Sequence, residues 1–120
     1  MTAFVRAATL SEPEEELAWQ MHVAGVPEPE RQYRGIEGRR FAFDFAWPAE
    51  QICLEVMGGI WAGMKHTRGQ GYTDDCVKAN LAVLQGWLYL RVVPDQIASG
   101  QALLWVEEAF RVRGSRGAVA

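Results

Sequence analysis

Between Arg40 and Met57 apolar and polar residues alternate with a period of two, in two successive runs. Phe41, Phe43, Phe45 and Trp47 fall on one side of an extended strand, with Arg40, Ala42, Asp44 and Ala46 on the other. After Pro48-Ala49-Glu50-Gln51, which predicts a turn, the pattern resumes: Ile52, Leu54 and Val56 face one way, Cys53, Glu55 and Met57 the other. Helical spacing flanks this hairpin. Ser11 and Glu14 have the spacing of a capping box, and Leu17, Met21 and Ala24 continue at helical intervals. That predicts a first helix from Ser11 to Gly25, stopped by Pro27 and Pro29. A short extended segment, Arg31 to Arg34, leads into a turn at Gly35-Ile36-Glu37-Gly38.

Downstream, Gly58-Gly59 ends the second run, and a glycine-rich loop is expected to about Tyr72. Thr73 is placed to cap a helix with Asp74 and Asp75 in its first turn. Val77, Leu81 and Leu84 would form its apolar stripe, with Gly86 at its end. Trp87 to Val93 reads as a strand closed by Pro94. A last helix, about 99–112, carries Leu103, Val106 and Phe110, and 113–120 is expected to be a flexible basic tail. The order α-β-β-β-α-β-α predicts an α/β fold with a central mixed sheet flanked by helices. The helical crossover between the last two strands requires them to be parallel.

Composition narrows the class. A chain of 120 residues, 49% hydrophobic and 22% charged, predicts one domain, 1–120, with its core at about 11–93. No apolar run approaches the roughly 18 residues of a membrane span, and Met1 to Leu10 does not make a signal peptide. Cys53 and Cys76 are expected as reduced thiols, which with these absences predicts a cytoplasmic protein. The net charge of −3 does not announce a nucleic-acid partner, but its distribution changes the picture. Six of the fifteen acids lie between Glu12 and Glu30, whereas Arg31, Arg34, Arg39, Arg40, Lys65 and Arg68 crowd the middle. Such a segment is either solvated surface or a face for phosphates. Of the tryptophans, Trp87 and Trp105 are read as core rather than as platforms for stacked bases, while Trp61, beside Gly58-Gly59, is open to either part.

The hairpin carries the candidate chemistry. With its turn centred between Ala49 and Glu50, Asp44 and Glu55 become direct cross-strand neighbours on one face, about 5 Å apart. Two like charges at that separation repel by about 3 kcal/mol at an effective dielectric near 20. A divalent cation removes the repulsion, and paired carboxylate oxygens suit Mg²⁺, with Mn²⁺ expected to substitute. A one-residue shift of the turn would instead leave two ordinary surface acids.

The stretches Phe43-Asp-Phe-Ala-Trp-Pro48 and Leu54-Glu-Val-Met-Gly-Gly59 resemble the core of PD-(D/E)XK nucleases. The likeness is to small phage-type enzymes related to archaeal-type Holliday-junction resolvases and to very-short-patch repair endonucleases. It extends through His66-Thr-Arg-Gly-Gln-Gly-Tyr72 and Asp75-Cys-Val-Lys-Ala-Asn80 to Gly86-Trp87, covering about residues 11 to 93. The resemblance implies a restriction-endonuclease-like fold and a metal-dependent DNA endonuclease in which Asp44 and Glu55 bind the metal. It implies a further catalytic glutamate on the first helix, for which Glu14 fits best, with Glu15 and Glu16 close by. Glu14 has an alternative part as the closing residue of the capping box.

One departure stands out. The family motif continues to a lysine or another polar residue where this chain has Met57, whose thioether cannot replace an ammonium or a carboxylate. Family members can carry the lysine on the following helix, which points to Lys78; the alternative is an exposed helical lysine. His66 is a candidate to assist hydrolysis, as a histidine in that neighbourhood does in very-short-patch enzymes. Arg39, Arg40, Lys65, Arg68 and Tyr72 are the candidate DNA contacts. Resolvases of this group act as dimers on four-way junctions, which implies a homodimer. Three other readings stay open: a very-short-patch-type nicking enzyme, a branched-DNA-binding module whose nuclease site has decayed, and an unrelated α/β domain in which the motifs are accidental.

Overall fold

The structure, a computed structural model, describes residues 12–58 and 69–119. Its elements are α1 (Glu12–Val23), β1 (Glu30–Tyr33), β2 (Phe43–Trp47), β3 (Ile52–Val56), α2 (Gly69–Leu84), β4 (Leu88–Val92), α3 (Pro94–Ala98) and α4 (Gln101–Val119). The strands form one mixed sheet in the order β1-β2-β3-β4, antiparallel at the first two junctions and parallel at the third. This is the α/β arrangement that the alternating pattern predicts. No helix among the described residues is long and apolar enough to cross a membrane.

Helices cover both faces of the sheet. On one face, Leu17 and Met21 of α1, Ile97 of α3, and Ala102, Val106 and Ala109 of α4 pack on Phe45, Trp47, Ile52, Leu54 and Val92. On the other face, Ala82 of α2 meets Phe43, Ala46, Cys53, Trp87 and Ile36. Full burial of a side chain such as Phe45 or Leu54 contributes about 1.5–3 kcal/mol. Cys53 is buried and Cys76 exposed, and both are free thiols.

The hairpin register is the expected one. Phe45 pairs with Leu54, Ala46 with Cys53 and Trp47 with Ile52, around a turn closed by Glu50 N–H to the Trp47 carbonyl and Gln51 N–H to the Pro48 carbonyl. The faces differ from expectation at one place. Phe43 does not share a face with Phe45 and Trp47; it packs among Cys53, Ala46 and Trp87 on the α2 side. The reason lies in β1. Gln32 has φ +51°, a left-handed conformation that interrupts the pleat. Arg31 lies over the Phe45 ring on one face, while Tyr33 meets Trp87 on the other. Both strands therefore exchange faces at the level of Gln32 and Asp44.

The helices also depart from expectation. Among the described residues α2 begins at Gly69, four residues before the expected cap at Thr73, and Gln70 donates from Nε2 to Asp74 Oδ1 at 2.8 Å across that first turn. Its buried face carries Ala82, with Lys78 and Leu81 turned the same way, while Leu84 is 80% exposed. Pro94 closes β4 and also opens α3, where a missing N–H costs nothing; the Gln96 side chain accepts from the Val93 N–H. The final helix does not stop near 112 but continues to Val119, so 113–119 is helical rather than a flexible tail. Trp87 is buried as expected, but Trp105 is 37% exposed and is not a core residue.

Candidate functional site

Asp44 and Glu55 come together at the open end of the β2–β3 hairpin. Beyond the Phe45–Leu54 pair, side chains take over the hydrogen bonding between the two strands. The Val56 N–H donates to Asp44 Oδ2 at 2.8 Å, and the Asp44 N–H donates to Glu55 Oε2 at 3.3 Å. Each carboxylate thus satisfies a backbone donor on the opposite strand. The other oxygen of Asp44 accepts from Gln32 Nε2 at 3.1 Å, so this carboxylate is held by both flanking strands.

Lys78 reaches the pair from α2. Its Nζ donates to Glu55 Oε1 at 2.7 Å and to the Ala42 carbonyl at 2.6 Å. Both side chains are largely buried, 12% exposed for Lys78 and 15% for Glu55. The ammonium also lies 5.6 Å from the centre of the Phe43 ring and 6.0 Å from that of Phe41, within cation–π range. The alternative of a solvated helical lysine is therefore corrected: the face that carries Ala82 into the core carries Lys78 to the sheet, one helical turn earlier. With two of its three protons committed, Lys78 retains one for a further acceptor.

Burial raises the Glu55 carboxyl above the usual carboxylate range. The hydrogen bond and charge of Lys78 oppose that rise, the negative charge of Asp44 adds to it, and the bond from the Asp44 N–H opposes it again. The repulsion foreseen between the two acids is present, and Lys78 offsets part of it. Desolvation also pushes up the thiol of Cys53, two residues before Glu55 on β3.

The other expected site residues are distributed differently. Glu14 does not join Asp44 and Glu55; its carboxylate accepts from Arg31 at 2.8 Å, and Glu15 accepts from the same nitrogen at 2.7 Å. Arg31, positioned over Phe45 on the α1 side, draws both acids to the junction of α1 and β1. Among the described residues no group of three His, Cys, Asp or Glu side chains is arranged to hold a metal ion. Ser11, and with it the capping box, lies outside the described residues, as do Trp61, Lys65, His66 and Arg68. Arg39 and Arg40 are exposed in the segment joining β1 to β2, just before Phe41 and Ala42. Tyr72 is 55% exposed and stands in the first turn of α2, not in a loop. Met57 follows β3 half-buried, its N–H donating to the Val92 carbonyl at 2.7 Å.

The partner that sequence reading misses is Gln32. No periodicity marks it, because its place opposite Asp44 follows only from the β1–β2 pairing of Arg31 with Phe45 and Tyr33 with Phe43. Comparison with protein-family models, curated proteins and solved structures returns no match to this chain.

Proposed function

We propose that this protein is a Mg²⁺-dependent DNA endonuclease whose centre is Asp44, Glu55 and Lys78. The observation that carries the reading is the seating of Lys78 on Glu55, beside Asp44. A lysine from the following helix fills the part left open by Met57.

The donor set suits a hard cation. Each of the four carboxylate oxygens accepts one hydrogen bond within the chain, which leaves lone-pair capacity on every one. Asp44 and Glu55 would hold the ion, and Mn²⁺ would substitute for Mg²⁺. The chemistry supplied by a bound ion is polarisation of the scissile phosphate and acidification of a water for in-line attack. Lys78 holds Glu55 in place and has its remaining proton for a phosphate oxygen or the attacking water. Arg39 and Arg40 would meet phosphates along the adjoining backbone, with Tyr72, Lys65 and Arg68 as further contacts and His66 as a further proton carrier.

We infer a preference for branched DNA, four-way junctions above all, cut by a homodimer whose two-fold symmetry matches two cleavage points. A second reading is favoured by one observation: among the described residues no third His, Cys, Asp or Glu side chain joins the two carboxylates, and Lys78 already balances Glu55. A branched-DNA-binding module that cuts nothing would have this arrangement. Incubation with duplex, flap and four-way-junction DNA separates the two, in Mg²⁺ and in EDTA. Mg²⁺-dependent cleavage, strongest on the junction, is expected. Metal-independent binding with no cleavage would establish the second reading, and equal cleavage of all substrates by a monomer would indicate a repair-type nicking enzyme.

A further inference from the structure

The Gln32–Asp44 contact interrupts an otherwise regular ladder. Glu30 pairs with Ala46, Arg31 with Phe45 and Tyr33 with Phe43, so the register is continuous and no residue is inserted. Between these rungs Gln32 takes φ +51°, a conformation that side chains other than glycine and asparagine adopt rarely. Strain of that kind persists only where surrounding structure over-determines it. Here it coincides with the face exchange of both strands and with an amide aimed at a carboxylate of the candidate site.

The two neighbours of Gln32 sharpen the point. Arg31 is turned to the α1 side and neutralised by Glu14 and Glu15, and Tyr33 is turned to the α2 side against Trp87. The side chain left facing Asp44 is a neutral donor. A guanidinium in its place would balance the carboxylate and compete with a cation. An amide orients Oδ1 and leaves the negative charge intact, while the Val56 N–H orients Oδ2 from the opposite strand.

We propose that Gln32 is a positioning residue for the metal site, holding Asp44 ready for a hard divalent cation. The inference rests on the metal-binding reading given above. Groups that orient metal ligands typically change metal affinity about 10–100-fold when removed.

The test is Mn²⁺ binding to the full-length protein without DNA, measured by electron spin resonance of the free ion. Thermal melting in EDTA is recorded in parallel. Gln32→Gly removes the amide and relieves the left-handed backbone, so it is expected to melt no lower than wild type and to bind Mn²⁺ about tenfold more weakly. Gln32→Asn tolerates the same backbone but shortens the reach to Asp44; it carries the measurement should the glycine variant not fold, with the same weakening expected. Affinity within twofold of wild type in the folded variant would overturn the role of Gln32 while leaving the metal site standing. Wild-type protein that takes up no Mn²⁺ at millimolar concentration, and is indistinguishable from Asp44→Asn, would overturn the metal site and this inference with it.

Discussion

Lys78 Nζ sits 2.7 Å from Glu55 Oε1, and the contact joins the middle of α2 to the end of β3 across 23 positions of sequence. Both side chains are mostly withdrawn from water, so each depends on the other for a counter-charge. Removing one member of such a pair typically costs about 3–5 kcal/mol while the survivor stays ionised. Glu55 can escape that cost by taking up a proton. Lys78→Ala is therefore expected to melt below wild type at pH 8, with the difference narrowing toward pH 5. The same variant should cleave junction DNA at least tenfold more slowly, about 1.4 kcal/mol of barrier. Adding Met57→Lys should recover part of the rate. A fully active Lys78→Ala enzyme would remove the lysine from the mechanism.

Glu55 also makes a pH prediction. Burial is the main reason that its carboxyl binds a proton more tightly when folded than at its ordinary value of 4.5. Its contribution to stability is then present below about that value and is lost as pH rises through the higher folded-state value. Glu55→Gln cannot ionise. The stability of wild type relative to Glu55→Gln should accordingly decline as pH rises through this window, as read from paired thermal melts. A difference between the paired melts, taken in EDTA, that stays flat or grows with pH would contradict the raised carboxyl.

Asp44→Asn and Glu55→Gln each keep the shape of the side chain and remove its charge. Both are expected to abolish cleavage and to leave affinity for junction DNA within a few-fold, measured by mobility shift. Cleavage near wild-type rate in either would exclude a two-carboxylate centre.

Arg39 and Arg40 are exposed and adjoin the residues that cage Lys78. Replacing either by alanine should flatten the slope of log K against log salt by about 0.9 for every duplex phosphate that its guanidinium neutralises. An unchanged slope would remove that residue from the DNA face.

Gly35 supports the same segment from beneath. A methyl group there would stand 2.7 Å from Cζ2 of Trp87 and 2.8 Å from Cε2 of Tyr33, closer than packed atoms allow. Trp87 is buried and packs against Phe43, so it has little room to retreat. Gly35→Ala should destabilise the protein by about 1–3 kcal/mol, checked by denaturant titration.

How much of this was legible from the chain varies with the physics involved. The β2–β3 register was, because a four-residue turn and strict alternation leave one pairing that buries Phe45 with Leu54. The face of Phe43 was not. Both sides of the sheet are covered by helices, so an aromatic residue suits either, and the left-handed backbone at Gln32 that decides the matter leaves no hydrophobic trace. Lys78 was legible as a candidate only through the resemblance. Its direction depends on the rotation of α2, which the apparent stripe of Val77, Leu81 and Leu84 misstates by counting an exposed leucine. The start of α2 was hidden because glycines at 69 and 71 read as loop, although a first helical turn accepts them. That Glu14 is held by Arg31, rather than standing with Asp44 and Glu55, is something nothing in spacing reveals.

At the end of the molecule remote from Asp44, one guanidinium ties the last helix to the sheet and to the end of α2. Arg113, on the last helix, donates from one nitrogen to the Gln51 carbonyl at the hairpin turn and to the Gly86 carbonyl beyond α2. Those acceptors lie 62 and 27 positions earlier in the chain. During synthesis the hairpin and the crossover helix leave the ribosome, and the Leu88 N–H can reach the Gln51 carbonyl, well before Arg113 adds its clasp. A nascent chain therefore holds the β2–β3 turn and the start of β4 by backbone bonds alone until α4 has emerged, and a protein cut short at Val112 would keep only those bonds.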